Sequence, residues 1–497
     1  MRDRIILWVP TPIGGPMPRE QKISCPDPAN KVVEQIAELI RREVERRCGP
    51  GSTFEERRDA ARGAVGEALW LDEDRDLLGL VVDAEEIEVA GKRYRRLEQP
   101  SSASYHGWWG DHFVKEALYR EQGVHNGPTI KPIELRAGII ERMTPDLARV
   151  VGELSADLAS RRLERVLRAT GIAPPSRAFI AKRSAAIGDE MADTAAKLEA
   201  ASRAEETLPK DIASASCGLD RMCVRMGETV EDDEGNAIPC TRAEPYERAA
   251  PPQKEHHYRE AWVGSASVYD REGNELHTWR YAVEASADPT KLADRVAADL
   301  AWIMKANPGA QLHCIQDAAK ELRAMPEALT RALPANTKPF VVLVDLEHLM
   351  GYLENVVDAC EREGDPSNWK GWYRSELLSD DRAIDRIWLK LRRLAEKLPG
   401  SRTKARTAVA KALSYIKHRR NKMRYASHYA AKLPIGSGAT ESTCWQMQQR
   451  VKLPAQSWEP RGLRGVLATR ALTLSERWET AWPSYAATHR REVRAAA

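Results

Sequence analysis

The sequence predicts a mixed α/β fold, and three features of the pattern support this. Residues 212–286 contain three runs of β-branched, aromatic and alternating residues separated by turn-forming stretches, which is typical of an antiparallel meander. Residues 289–345 then alternate two amphipathic helical stretches, Pro289–Ala306 and Ala318–Ala332, with two short apolar strands. Residues 346–432 carry only helical patterns. Because strands that alternate with helices after a meander form a sheet with helices on its faces, we expect a mixed sheet and an all-helical segment beyond it.

The composition is that of a soluble protein with several domains. The chain has 497 residues, of which 42% are hydrophobic and 30% charged, so wholly disordered and collagen-like classes are excluded. The longest apolar runs, Leu77–Val82 and Phe340–Val344, are only strand-sized, and the apolar stretch near the N-terminus is too short for a secretory signal. We therefore expect a cytoplasmic protein without a membrane partner. None of the eight cysteines has the C-x-x-C spacing of a zinc or redox site, so we expect reduced thiols.

Residues 1–135 are predicted to form an N-terminal helical and β module. Val32–Arg47 and Phe54–Trp70 show apolar residues recurring three and four apart, which indicates amphipathic helices. Leu77–Arg95 alternates as strands do, whereas the irregular, aromatic-rich pattern of Glu98–Leu135 suggests a small module packed on its neighbour.

Residues 136–210 are predicted to be helical. Within them Ser155–Thr170, a Gly-Ile-Ala-Pro-Pro break and Ser176–Ile187 resemble a helix-turn-helix that binds DNA. The second helix would present three cations to DNA, namely Arg177, Lys182 and Arg183. An ordinary helical hairpin with solvated charges explains the same pattern equally well.

Three aspartates occupy positions within residues 211–350 where open sheets place ligand sites. Asp220 lies within the first strand of the meander, and Asp317 and Asp345 each end a later strand. Carboxylates gathered from separate strands suit Mg²⁺, which prefers oxygen ligands. For any one of these residues, a role as a turn former or helix cap is the commoner explanation.

The predicted all-helical segment, residues 351–432, is strongly basic. Sixteen Lys or Arg but only two acids lie between Arg382 and Lys432. Such a surface favours nucleic-acid phosphates, although a solvated helical face would also explain it. The candidate phosphate-binding residues are Arg402, Lys404, Arg406, Lys417, Arg419, Arg420 and Lys422.

The chain contains, in order, the meander with Asp220, the strands that end at Asp317 and Asp345, the helical segment and a Gly-Ser-Gly-x-x-Glu motif at 436–441. This order resembles the ribonuclease-H-like core of DDE transposases. The motifs are most similar to the ISKra insertion-sequence family of transposases. The segments that carry the resemblance are VHNGPTIKPIELRAGI at 124–139, CGLDRMCVRM at 217–226, QDAAKEL at 316–322, VDLEHLMGYL at 344–353, LPIGSGATEST at 433–443 and RALTLSERWETAW at 470–482.

The resemblance implies a metal-binding triad of Asp220, Asp317 and Glu441 in a ribonuclease-H-like core that residues 433–497 complete. Two Mg²⁺ ions, or Mn²⁺ in their place, would bind there, one held by Asp220 with Glu441 and both bridged by Asp220 with Asp317. Relatives often carry a cysteine zinc ribbon before the core, but the corresponding stretch at 88–111 has no cysteine, so no zinc is predicted.

Five further residues are expected to support this site. The turn of Gly436, Ser437 and Gly438 would aim Glu441 at the metals. Asp345 and His348 match an Asp-x-x-His segment of the family, although a capping acid that starts a helix and a half-buried histidine explain them at least as well.

The activity that the resemblance implies is that of an insertion-sequence transposase. Hydrolysis would free a 3′ end of double-stranded DNA and the same site would join it to target DNA. The protein would be associated with the nucleoid and would act as a homodimer or larger assembly. Two alternatives are a ribonuclease-H-like nuclease that does not join strands and a DNA-binding protein of transposase descent that has lost catalysis.

Overall fold

A computed structural model describes the fold at residues 31–238, 252–284, 287–317, 323–360, 369–398 and 403–496. The chain divides into two compact units, Met1–Glu73 and Asp74–Ala497. The first unit contains helix α1 (Lys31–Arg47) and the beginning of α2 (Phe54–Leu78), in agreement with the predicted helices. A capping box begins α2, because the Glu56 amide donates to the Thr53 hydroxyl while the Glu56 carboxylate accepts from the Thr53 amide.

An antiparallel sheet contains most of the aromatic-rich segment. Its strands are β1 (Glu86–Val89), β2 (Lys92–His106), β3 (Asp111–Glu121), β4 (Thr129–Ile130) and β10 (Val493–Ala495). The sheet order is β10-β1-β2-β3-β4, and a long β2–β3 hairpin occupies most of the segment whose sequence pattern is irregular. The alternation of β2 is obscured because its register shifts between Arg96 and Pro100.

Helices follow this sheet, as predicted. They are α3 (Pro132–Ala137), α4 (Pro145–Ser155), α5 (Ser160–Ala169), α6 (Arg177–Asp193) and α7 (Ala195–Glu205). The first helix of the predicted helix-turn-helix begins at Ser160 instead of Ser155, because Ser155 ends α4 and a turn intervenes. One face of α6 packs against α16 (Pro460–Leu474).

A mixed five-stranded sheet confirms the predicted mixed α/β class. Its strands are β5 (Ser214–Thr229), β6 (Lys254–Tyr269), β7 (Glu275–Val283), β8 (Gln311–Gln316) and β9 (Val341–Val344). The order is β7-β6-β5-β8-β9, in which β5, β6 and β7 are antiparallel while β5, β8 and β9 are parallel. Between β7 and β8 lies α8 (Pro289–Ala306), and α9 (Ala324–Ala332) precedes β9. Residues 318–322 of the predicted second helix lie outside the described residues.

The two faces of β5 pack against different helices. Cys217 and Leu219 belong to a core that includes Val296 and Leu300 of α8. Met222, Val224 and Met226 pack instead with α15 (Gly438–Val451) and α16. Because side chains alternate along a strand, Asp220 lies on the face that α15 covers.

The helical segment after β9 has a hydrophobic core of its own. Its helices are α10 (Leu346–Cys360), α11 (Trp369–Ser379), α12 (Ala383–Lys397), α13 (Lys404–Lys417) and α14 (Ala426–Ala430). Their apolar faces form one buried cluster that reaches Val344 at the end of β9. The chain ends with α15, α16, α17 (Trp478–Ala487) and β10. No helix in the parts of the chain described above is long and apolar enough to cross a bilayer.

A buried ionic network links helices on one side of the mixed sheet. Arg477, which is 1% exposed, donates to both carboxylate oxygens of Asp299 in α8 and to both of Glu206, directly after α7. Asp299 also accepts from Arg203 at 2.6 Å and from the Tyr281 hydroxyl. Since the opposite charges and hydrogen bonds are satisfied together, burial of these ions is tolerated here.

Candidate functional site

The parallel pairing of β5 with β8 brings Asp220 and Asp317 to the same end of the sheet. Asp220 is half-buried in β5, and Asp317 directly follows β8. Burial raises the pKa of Asp220, and the negative charge of Asp317 raises it further. The Arg221 amide donates to the Asp220 carboxylate at 2.7 Å and opposes this rise, as does the nearby Cys444 thiol, which donates to the Arg221 carbonyl at 3.6 Å. The two aspartates predicted to share a metal are therefore close enough to repel each other.

Helix α15 lies directly on β5 beside Asp220. The closest approach is at Gly218, two residues before Asp220 and hence on the same face of the strand. A Cβ at Gly218 would lie 2.5 Å from the Ile315 carbonyl oxygen and 2.6 Å from the Thr440 hydroxyl. Thr440 also hydrogen bonds Ser265 of β6 at 2.7 Å, so α15 is held to two strands. Glycine at 218 thus permits β5, β8 and α15 to meet.

Glu441 lies on the same face of α15 as Cys444, which contacts Asp220. Residues three apart share a helix face, so Glu441 lies one turn along α15 from Cys444. Its side chain is exposed and accepts a hydrogen bond from the Ser437 hydroxyl at 2.9 Å. In the described part of the chain, no three His, Cys, Asp or Glu side chains are grouped closely enough to hold a metal ion. Asp220 and Asp317 of the predicted triad are thus neighbours, whereas Glu441 is exposed and hydrogen bonded to Ser437.

Asp345 links the start of α10 to the glycine turn before α15. It is 1% exposed, and one of its oxygens accepts from the His348 amide at 2.6 Å, the geometry of a helix N-cap. The other oxygen accepts from the hydroxyl of Ser437 at 2.5 Å and from the amide of the same residue. Gly436 precedes this contact and Gly438 begins α15. Asp345 therefore acts as a buried N-cap of α10 and connects this helix to the turn before α15.

Tyr415 connects the basic helical segment to the aspartates, a link that the sequence did not predict. Its hydroxyl donates to the Asp317 carbonyl at 2.9 Å, and burial, together with the charges of Asp317 and Asp345, raises its pKa. The ring stacks on Tyr352 of α10 at 4.2 Å. His348 is exposed, not half-buried, and its ring lies 6.0 Å from that of Tyr415. The spacing of Tyr352 and His348 on α10 was a signal that these side chains share one face.

The predicted DNA-contacting residues of α6 differ in their availability. Arg177 and Lys182 are exposed. Arg183 forms a salt bridge with Glu141 at 2.5 Å and lies over the Phe179 ring at 5.2 Å. Arg183 is therefore paired within the protein, because the fold brings Glu141 beside α6, whereas the sequence predicted that it faces DNA.

Most predicted phosphate-binding residues of the basic segment are at the surface. The exposed ones are Lys404, Arg406, Lys417 and Lys422. Arg420 forms an ion pair with Asp385 at 3.1 Å, and Arg419 lies over the Tyr415 ring at 4.8 Å. Arg402 lies outside the described residues. These four side chains lie at the surface on and after α13, where a polyanion could reach them.

Comparison with known proteins yields no relative from which a function could be transferred. The sequence matches no protein-family model and has no significant match among curated proteins. The residues and their geometry are therefore the basis on which a function is proposed.

Proposed function

We propose that this protein is a DDE-type DNA transposase that hydrolyses and then joins DNA strands with a ribonuclease-H-like core. One observation carries the proposal. Three antiparallel strands are followed by two parallel strands, with Asp220 in the first strand and Asp317 directly after the fourth. The helix that carries Glu441 then packs over Asp220, as the motif order of the ISKra resemblance requires.

The chemistry of the carboxylates fits a divalent cation. Asp220 and Asp317 repel each other, and a cation between them would relieve that repulsion through the oxygen ligands that Mg²⁺ and Mn²⁺ prefer. Glu441 could join them only if its carboxylate turned away from Ser437. A bound divalent ion would polarise a phosphoryl oxygen and lower the pKa of a bound water.

The protein residues would supply positioning and substrate binding. Ser437 is held by Asp345 and therefore fixes the start of α15, from which Glu441 projects. The exposed lysines and arginines of the basic segment would neutralise phosphates of double-stranded DNA, so affinity should fall with salt. In this scheme Asp220, Asp317 and Glu441 are the catalytic residues, and Asp345 and Ser437 are positioning residues.

Strand cleavage and joining test the proposal directly. A supercoiled donor plasmid carrying the DNA that flanks the gene is incubated with the full chain and Mg²⁺ or Mn²⁺, and nicked, linear and joined products are separated. We expect Asp317→Asn and Glu441→Gln to abolish both cleavage and joining. Asp294→Asn is the matched control, because Asp294 is exposed and forms an ion pair with Arg331 at the surface.

The products also separate the proposal from its alternatives. Cleavage without joined product would indicate a nuclease, and DNA binding without cleavage would indicate a protein that has lost catalysis. Cleavage that survives Glu441→Gln in a folded, DNA-binding variant would contradict the assigned triad. Binding of Mn²⁺, measured by calorimetry, should weaken in Asp317→Asn and remain unchanged in Asp294→Asn.

A further inference from the structure

An open cavity lies between α10 and α13, next to the end of β8. Its volume is about 930 Å³, and its walls include Tyr352, Asn355, Lys404, Lys411 and Arg419. Small-molecule sites in proteins usually measure roughly 300–1,000 Å³, so this cavity has room for a nucleotide and not just for an ion.

One face of α13 supplies a polar and basic wall. Lys404, Thr407, Lys411 and Ser414 are spaced three or four apart, which places them on one stripe of the helix, and all four line the cavity. Lys404 and Lys411 are exposed, and the described residues provide neither with an acid in ion-pairing range. The helix therefore presents hydroxyl groups and two lysine charges that no neighbouring acid in the described part of the chain offsets, which is typical of a surface that contacts phosphates.

The opposite wall is aromatic and reaches the carboxylates. Tyr352 of α10 is half-buried, lines the cavity and stacks on Tyr415 with an angle of 18° between the rings. Tyr415 in turn donates its hydroxyl to the Asp317 carbonyl at 2.9 Å. A ligand seated on these rings would therefore lie one side chain away from the proposed catalytic aspartates.

We propose that this cavity binds an unpaired segment of DNA next to the bond that is cut. Lys404, Lys411 and Arg419 would contact its phosphates, and Tyr352 would stack on a base. An aromatic ring reaches the face of a base only when that base is unstacked from its neighbours, which favours a single strand over an intact duplex. The inference rests on the proposed function, because it names the part of the DNA substrate that this site takes.

Oligonucleotide binding tests the inference without requiring catalysis. Fluorescence anisotropy is measured with the full chain in EDTA, using a labelled single strand and the duplex of the same sequence. Tyr352→Leu should weaken single-strand binding about 5- to 150-fold, the range expected for loss of one stacked base, and leave duplex binding within about twofold.

A second variant examines the phosphate contacts independently of the ring. Lys404→Gln combined with Lys411→Gln should reduce the slope of log affinity against log salt by about 1.4 for the single strand, since each phosphate contact contributes about 0.7. Lys197→Gln combined with Lys305→Gln makes the same charge change at exposed sites on α7 and α8 and should leave the slope unchanged. Unchanged single-strand affinity in both cavity variants, or an equal loss for duplex, would overturn the inference.

The two proposals can fail separately. If Asp317→Asn still cleaves DNA while the cavity variants lose single-strand binding, the assigned catalytic site is wrong and the cavity assignment stands. If Asp317→Asn abolishes cleavage while the cavity variants bind single strands normally, the reverse holds.

Discussion

Replacing Gly218 with alanine should loosen the point where two strands and a helix meet. The new Cβ would lie 2.5 Å from the Ile315 carbonyl oxygen and 2.6 Å from the Thr440 hydroxyl, whereas ordinary contacts begin near 3.4 Å. The Ile315 carbonyl is backbone and cannot rotate away, so β5 and β8 must move apart by about 1 Å at this point. Overpacking of this kind costs about 1–3 kcal/mol, which outweighs the ~0.5–1 kcal/mol that alanine gains over glycine in a strand.

The same shift should also impair the proposed chemistry. A displacement of about 1 Å at a catalytic group can lower the rate about 100-fold, so Gly218→Ala should cleave donor DNA far more slowly than the parent chain. Combining it with Thr440→Ala removes one of the two obstacles and should restore part of the stability.

Urea unfolding followed by tryptophan fluorescence measures the stability change. Gly351→Ala is the control with the opposite sign: Gly351 lies within α10 with no atom within 4 Å of its added Cβ, so alanine should stabilise the chain by about 0.5–1 kcal/mol. If Gly218→Ala were as stable as the parent chain while Gly351→Ala behaved as expected, the close packing of β5, β8 and α15 would be wrong.

Three further predictions concern buried groups. The pKa of Asp220 is raised above its ordinary 3.8, so the charged form is disfavoured in the folded chain and the free energy of unfolding falls as pH rises through that pKa. Asp220→Asn should therefore raise the melting temperature at neutral pH, and a calorimetric pH series should show that this gain vanishes below the unfolded pKa. Arg477→Met should cost about 3–5 kcal/mol in urea unfolding because it removes the guanidinium that Asp299 and Glu206 share and leaves Arg203 as the remaining cation beside the buried Asp299. Adding Asp299→Asn should recover part of this cost, and a cost under about 1 kcal/mol would contradict the reasoning. Cys444→Ala should move the acid limb of the cleavage pH profile to higher pH, since the nearby thiol lowers the pKa of Asp220; an unmoved profile would exclude an effect of the thiol on Asp220 in the working site.

Local signals were sufficient to predict the mixed sheet and its helices. Helix α8 has the predicted bounds because Asp288 caps it, Pro289 occupies its first turn and an Asn-Pro-Gly sequence follows it. The turn between β6 and β7 is likewise local, since the Asp270 side chain accepts from the amides of Glu272 and Asn274.

Features that depend on distant parts of the chain were missed. The β2–β3 hairpin has few apolar alternations because only part of β2 is buried and its register shifts near Pro100. Strand β10 pairs with β1 across almost the whole sequence, and no local pattern encodes that choice. Arg183 was predicted to face DNA because its helix is basic, but its salt bridge depends on where the fold places Glu141.

The candidate site shows the same division. Strand order and the resemblance were enough to predict that Asp220 and Asp317 would be neighbours. The hydrogen bond that holds Glu441 on Ser437 and the contact of Tyr415 with Asp317 could not be predicted, because they depend on side-chain rotamers and on the packing of the helical segment.

The contact between Asp345 and Ser437 affects how readily the fold accepts insertions or deletions in the helical segment. The two residues are 92 positions apart, and beside them the Leu346 amide also approaches the Ile435 carbonyl at 3.4 Å. The helical segment between Asp345 and Ser437 thus begins and ends at the same point beside the sheet. Helices could therefore be added, lost or exchanged between these two residues while the end of the sheet that carries Asp220 and Asp317 kept its shape. The outer helical segment and the inner sheet can thus change independently.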